Sequence, residues 1–466
     1  MTRLTPRTSA SALLLAAAAL VAGPAGAQTL RLPRAVALDV QAAAAAPPPA
    51  PAAVPLTLDD AIARGLAASH QLAVVEAQQD ASRSAVDGQK AARRPVVSLQ
   101  AGYQRTNHID AFGLTVPGHG FQVIYPDVPD NYRTRLDLQW PIYTGGRQDA
   151  LERAAQAEAS ANAEQVATTR ADLRLEITRA FWALVTADES VKVVEQAHER
   201  MLAHLNDVRN RFTVGLLPPN DVSAAEAQEA RDRMLLIQAR NQRDVAATVL
   251  RRLIGASADA PIVPQAALAA PPPAPPVATL ISDATQNRSE RRALQDQVAA
   301  ASQREAAAGA GRRPAVAVAG GVDYARPNPR IFPREAAWNE SWDVGVNVSW
   351  SLWDGGRTGA AVAQASAGVR AAREQLADFD TALDADVRER ALDLQSSEAA
   401  IPAAEEAVRA AEDARRVVEN RFKAGVATST DVLDAQVALL QAELDRTQAV
   451  AAARLAQARL DRTLGQ

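Results

Sequence analysis

Trp140-Pro141-Ile142-Tyr143-Thr144-Gly145-Gly146-Arg147 returns later in the chain as Trp350-Ser351-Leu352-Trp353-Asp354-Gly355-Gly356-Arg357, 210 positions further on. The same shift lays Arg211-Phe212-Thr213-Val214-Gly215 on Arg421-Phe422-Lys423-Ala424-Gly425, and Asp221-Val222 on Asp431-Val432. It also lays Leu253-Ile254-Gly255 on Thr463-Leu464-Gly465. One register held over so long a span marks an internal duplication. Upstream, Arg93-Arg94-Pro95 matches Arg312-Arg313-Pro314 at an offset of 219, so the first copy carries about nine more residues before its Trp, where a loop should lie.

Just before each repeated motif the sequence alternates with period 2, the mark of a strand whose faces meet different surroundings. Trp342, Val344, Val346, Val348, Trp350 and Leu352 interleave with Asp343, Gly345, Asn347, Ser349 and Ser351. In the first copy Tyr132, Thr134, Leu136, Leu138, Trp140 and Ile142 alternate with Arg133, Arg135, Asp137 and Gln139. Partner strands begin at Val97, Leu99, Ala101 and Tyr103, and at Val316, Val318, Val322 and Tyr324. The chain thus offers two hairpins, with strands at about 96–106 and 132–143, then 315–325 and 342–353, joined through long loops at Asn107 to Asn131 and Pro327 to Ser341. A soluble antiparallel sheet with one buried face fits this pattern, and so does an outer-membrane barrel. Four strands cannot close a barrel, since about eight are needed. Either the sheet packs on helices or several chains pool their strands.

After Gly146 the chain runs to Phe212 without Pro or Gly, and after Gly356 it runs to Phe422 with only Gly359, Gly368 and Pro402 as breaks. Some 65 helical residues make a rod on the order of 100 Å long. Leu173, Ile177, Ala180, Leu184, Ala187, Val191, Val194, His198, Met201, Leu205, Val208 and Phe212 keep a 4,3 spacing, a coiled-coil seam. Leu383, Val387, Leu394, Ile401, Ala404, Val408, Val418 and Phe422 repeat it more loosely. Return helices follow, giving helical hairpins at 147–254 and 357–464, with shorter helices leading into the strands from Leu58 to Arg93 and from Ile281 to Arg312.

The remaining stretches set the frame. Residues 1–27 read as a secretory signal: Arg3 and Arg7, an apolar run Leu13 to Val21, then Ala25-Gly26-Ala27. Residues 28–55 form an Ala/Pro-rich lead-in, 56–255 the first repeat, 256–279 a Pro-rich linker and 280–466 the second repeat. Aromatic residues make up only 4% of the 466, which suits close-packed helices. A net charge of −4 without any basic block gives no electrostatic reason to expect a nucleic-acid partner, so none is expected. With no Cys there are no disulfides, thiolate metal sites, cysteine nucleophiles or lipid-modified Cys. The five His are scattered, the nearest helical pair being His198 and His204, too far apart to share a metal. No catalytic residues, cofactor or metal site emerge, and Thr144-Gly145-Gly146-Arg147 lacks the glycine spacing and the Lys of a phosphate loop.

A duplicated order of helix, strand, strand, long helix and return helix, with Gly-Gly-Arg after the second strand and Arg-Phe-x-x-Gly at the far tip, resembles the TolC family of outer-membrane efflux proteins. The likeness runs from Leu56 to Gly465. It implies a mainly α fold with a transmembrane β-barrel portion: a homotrimer whose four strands per protomer share one 12-stranded barrel, continued by a periplasmic α-barrel. The implied location is the cell outer membrane, in contact with its lipid. The implied role is a passive exit duct of a tripartite efflux or type I secretion system, with a periplasmic adaptor (membrane fusion) protein and an inner-membrane pump as partners. A periplasmic coiled-coil adaptor or a structural filament are the alternatives.

By the same resemblance, Asp431 and Asp434 correspond to acidic rings at the tip constriction, and Asp221 to an acidic position that helps hold the closed state. Ala427 stands where an Arg can occur, so that link is missing. Gly215 and Leu216, with Gly425 and Val426, match the tips that meet adaptor proteins. Read as plain chemistry, Asp431 caps its helix and the glycines end theirs by adopting positive φ. Pro218-Pro219 departs from the family pattern at the first tip.

Overall fold

The structure, a computed structural model, describes residues 54–466; the secretory signal and all but the end of the lead-in lie outside them. The first repeat runs β1 (Val54–Leu56), α1 (Leu58–Ala68), α2 (His70–Ala91), β2 (Val96–Arg105), β3 (Phe112–Val116), β4 (Gly120–Tyr125), β5 (Asp130–Tyr143), α3 (Arg147–Thr213) and α4 (Pro219–Leu253). After β6 (Ile262–Pro264) come α5 (Val277–Asn287), α6 (Ser289–Gly309), β7 (Ala315–Arg326), β8 (Asn339–Ser349), α7 (Arg357–Lys423) and α8 (Ser429–Thr463).

The two long helices have the same length, 67 residues each, and the two return helices have 35 each. A rod of about 100 Å is therefore doubled over about half its length by its return helix. Pro402, Gly359 and Gly368 do not break α7. Each rod is launched from its strand by two successive left-handed glycines, Gly145 (φ 66°) and Gly146 (φ 87°), then Gly355 (φ 67°) and Gly356 (φ 91°). A side chain at such φ values clashes with its own backbone, so the repeated Gly-Gly is a steric requirement of the turn. Below each turn the same bond recurs: Trp140 Nε1 donates to the Arg93 carbonyl at 3.2 Å and Trp350 Nε1 to the Arg312 carbonyl at 3.1 Å.

One antiparallel sheet has the order β2-β5-β7-β8, leaving β2 and β8 as open edges. Its register pairs Leu99 with Leu136, Leu136 with Val322, and Val322 with Trp342, so the apolar alternations of all four strands fall on one face. That face is bare in the single chain, with Leu99, Val322, Trp342, Val344 and Val346 all exposed. The sheet does not use it to pack on helices.

Four local readings are corrected. The loop at Asn107 to Asn131 contains the β3–β4 hairpin, which pairs Phe112 with Tyr125, Leu114 with Gln122 and Val116 with Gly120 across a turn where Gly118 and Gly120 adopt the left-handed region. The lead-in ends in β1, and the Pro-rich linker contains β6; they pair in parallel, Val54 with Ile262 through Leu56 with Pro264. Leu56 is thereby sealed against Ile177 and Phe181 of α3. The first short helix breaks in two at Ser69, whose hydroxyl accepts from Leu72 N–H at 3.2 Å and starts α2 afresh. Its counterpart breaks likewise at Arg288, which donates to the Arg462 and Thr463 carbonyls at 3.1 and 2.9 Å. The second strand of the second hairpin ends at Ser349, so Trp350, Leu352 and Trp353 extend beyond it.

In the core α3 is central: α1, α2, α4, α6 and α8 all pack on it. Twenty of its residues are buried against seven of α7, which meets α5, α6 and α8. Equal lengths with such unequal burial mean that α7 has a side with no partner in its own chain.

Candidate functional site

The end of the rods farthest from the sheet gathers α3, α4, α7 and α8 around one apolar cluster of Met201, Leu205, Val208, Ala225, Phe422, Val432 and Leu433. Gly215 (φ 77°) and Gly425 (φ 76°) end the two rods in the same way. The N–H of each bonds the carbonyl of the Phe three residues back, at 2.9 and 3.0 Å, and the next N–H, Leu216 or Val426, reaches the Arg carbonyl at 2.9 Å. These bonds satisfy carbonyls that the last helical turn would leave open. They also drive Leu216 (71% exposed) and Val426 (63%) outward into solvent at the outermost point.

At the start of α8, Thr428 is the N-cap. The Asp431 carboxylate accepts from Thr428 N–H and from its hydroxyl, both at 2.8 Å, while Asp431 N–H donates to Thr428 Oγ1 at 3.2 Å. This reciprocal box holds the Asp431 carboxyl below the usual range, chiefly through the Thr428 backbone bond, so it stays ionised. Asp431 and Asp434 are both exposed, while Val432 and Leu433 between them are buried. The helix therefore presents two carboxylates on one outer face, one turn apart. Asp221 lies in the first turn of α4, half-buried, its Oδ1 accepting from Asn220 at 3.0 Å. That helix has Pro218 at its cap and Pro219 in its first turn, with no side-chain cap. Ala427, half-buried, packs against the apolar cluster.

A polar contact unnoticed in the sequence ties the tips together. His204 of α3 is buried, and its Nε2 lies 3.1 Å from the buried Ser429 Oγ in the first turn of α8. Its ring sits 5.4 Å from the Phe422 ring, and the Arg211 guanidinium covers that ring from 4.5 Å while donating to the Phe422 carbonyl at 3.1 Å. Burial pushes the His204 imidazole below its usual value, against the pull of Asp207 and Glu419 and with the help of Arg211. The signal in the sequence was its position: His204 falls between the seam residues Met201 and Leu205.

Among the described residues no helix is long and apolar enough to cross a membrane, and no group of His, Asp and Glu could hold a metal ion. The bare apolar face of the sheet is the surface suited to lipid. Trp140, Tyr143 and Trp350 stand at the helix end, and Tyr103, Tyr132, Tyr324 and Trp338 cluster at the loop end, with Tyr324 and Trp338 stacked at 4.9 Å. An apolar band between two aromatic girdles is the pattern of an outer-membrane barrel wall.

The model of the outer membrane efflux protein family matches residues 61–256 and 280–466, and the chain belongs to that family. Outer membrane protein TolC of Vibrio cholerae is 25% identical over 368 residues, 78% of this chain and 80% of its own length. Among solved structures, VceC of Vibrio cholerae superposes with a TM-score of 0.72 at 21% identity, covering 88% of this chain and 96% of that one. The open state of the Neisseria gonorrhoeae MtrE outer membrane channel superposes with a TM-score of 0.71 at 18% identity, covering 88% of each. The protein is thus an outer-membrane efflux channel, mainly helical, with its strands in the membrane and its rods extending from it.

Proposed function

We propose that three copies of this chain form a passive exit duct, each giving four strands to a common barrel and its rods to a tunnel beneath. The observation that carries this is the inequality of the two repeats. In one chain α3 packs on α6 and α8, the short and return helices of the other repeat. The duplication asks for the same two neighbours on α7, namely α2 and α4, yet neither packs substantially against it within the chain. Only a further copy supplies them, and the open edges β2 and β8 are completed by the same contact. Three times four strands passes the minimum of about eight for closure.

The acid face of α8 is then repeated around the tunnel axis at its narrow end. Asp431 and Asp434, with Asp221 nearby in sequence role, form a gate that favours cations and repels anions. The exposed Leu216 and Val426 beyond Gly215 and Gly425 form the apolar knuckles on which a periplasmic adaptor protein seats, and an inner-membrane pump supplies the energy. The proposed role is passage and involves no covalent chemistry.

The test is conductance in a planar bilayer. The unmodified protein gives a small, cation-preferring conductance, and the double variant Asp431→Ala, Asp434→Ala gives a larger one with the preference reduced. An unaltered conductance and ion preference in that variant removes the gate from these residues, and absence of any conductance from the intact protein sinks the duct.

A further inference from the structure

On the sheet face opposite the apolar one, side chains are small or uncharged almost everywhere: Ser98, Gln100 and Gln104 on β2, Ala319 on β7, Asn347 and Ser349 on β8. All five of its strand charges fall in one belt toward the loop end, on β5, β7 and β8. Arg135 is the hub. Its Nε donates to Asp137 Oδ1 at 2.6 Å, and its Nη1 and Nη2 to Asp343 at 3.0 and 3.3 Å. Nη1 also bonds Asp323. Arg133 Nε donates to the other Asp323 oxygen at 2.6 Å, and Arg330 from the β7–β8 loop reaches Asp343 at 2.8 Å.

The belt lies flat. A Cβ on Gly321 would stand 2.8 Å from Arg135 Nη2, so the guanidinium occupies the hollow that this glycine leaves. Nor is the belt inherited from the duplication. The counterparts of Arg135, Asp137 and Asp323 are the uncharged Gly345, Asn347 and Gln104, and Arg133 corresponds to Asp343, a charge of opposite sign. A device needed only to hold strand register would be expected at both seams.

We infer that this belt is a second determinant of ion preference at the outer end of the duct. The inference rests on the barrel reading, in which this face lines the lumen. Per chain, three carboxylates outnumber two strand guanidiniums, and Arg330 offsets the difference at the mouth. The arginines are held against the wall by the carboxylates, so the lumen stays wide and nearly balanced in charge. Removing carboxylates both inverts the sign of the belt and frees the arginines to swing inward; removing Arg135 leaves excess negative charge.

The experiment measures reversal potential under a KCl gradient, at low salt, where a screening length of about 30 Å lets wall charges act across a lumen. The Asp431→Ala, Asp434→Ala background is used so that the tip does not mask the belt. Asp343→Asn with Asp323→Asn should lower the potassium-over-chloride permeability ratio about threefold or more, and Arg135→Gln should raise it about twofold. Because Asp323 is buried and its variant could fail to assemble, Asp343→Asn alone, at a more accessible position, must show the same direction. Heat-resistant assembly is checked for each. Ratios equal to the background in Asp343→Asn and Arg135→Gln overturn the belt's role while leaving the duct intact. A background protein that assembles yet conducts nothing overturns the barrel reading instead.

Discussion

Phe212 and Phe422 occupy the same place in the two repeats, yet one is 42% exposed and the other 3%. Both follow an Arg and precede a glycine-ended tip, and both end helices of 67 residues. What differs is the neighbourhood. Phe422 has α3 beside it, with His204, Arg211 and the start of α8 closing over its ring. Phe212 stands outside that apolar cluster and has no such cover. Duplicated sequences in a closed ring meet two kinds of seam, one inside the chain and one between chains. The inner one carries His204, Ser429 and Arg135, whose counterparts in the other repeat are Ala414, Pro219 and Gly345.

The largest effect that tests this contrast is covalent. Carrying the β5–β7 register through the two sequence offsets pairs Trp350 with Leu99, Val348 with Ala101 and Val346 with Tyr103 of the next copy. The chain has no Cys. Ala101→Cys combined with Val348→Cys should therefore give an oxidised trimer band in denaturing gels, whereas Ala101→Cys with Val346→Cys, out of register, should give little. Equal yields would remove the inferred register.

Truncation at the two phenylalanines comes next. Phe422→Ala empties a buried site and should cost about 3–5 kcal/mol, read as reduced folded protein and lower thermal stability. Phe212→Ala should leave the isolated chain within about 0.5 kcal/mol but lower the dissociation temperature of the trimer. If trimer dissociation is untouched, Phe212 is not covered by a neighbouring copy.

The smallest effect is pH dependence at the inner seam. Since burial depresses the His204 value, the neutral ring is the form that fits, and its contribution is complete above the ordinary histidine value of about 6.5. It declines as pH falls through that value toward the lowered one. Acid thus loosens the contact with Ser429. The charged groups around the ring are Asp207 and Arg211 on α3, paired at 3.2 Å, and Glu419 on α7, paired with Arg415 at 2.6 Å. On α8 the Asp431 carboxylate is engaged with Thr428, and on α4 Glu226 pairs with Arg209. His204→Asn should reduce stability by about 1 kcal/mol at neutral pH and flatten the acid branch of a tip-proteolysis profile below pH 6.5. A profile of unchanged slope would place the titration elsewhere.

The fold class was legible because its signals are periodic and doubled. A 4,3 seam that continues for some forty residues within an unbroken rod has no alternative as a compact element, and a strand alternation repeated in phase has little chance of being noise. Loops and linkers were harder for a physical reason. The β1–β6 strands, three residues each, are too short for any periodicity and find partners distant in sequence, while the apolar alternation of β3 and β4 spans only five and six residues between glycines. The belt around Arg135 was visible only as the polar half of an alternation. That Arg135, Asp323 and Asp343 converge depends on register, which sequence alone does not supply. His204 stands beside the seam rather than in it, and nothing in the sequence brings its partner Ser429, more than two hundred positions away, against it.

The parallel pair of β1 and β6 closes over Phe181 near the midpoint of α3, and α8 ends at Thr463, about half way along α7. Both ends of the described residues therefore lie beside the waists of the rods, Leu56 on α3 and Thr463 on α7. A fluorescent protein or purification handle fused after Gln466 would ring the equator with three bulky bodies and leave mouth and tip uncovered. The waist is then the natural place from which to watch or immobilise the duct while cargo passes.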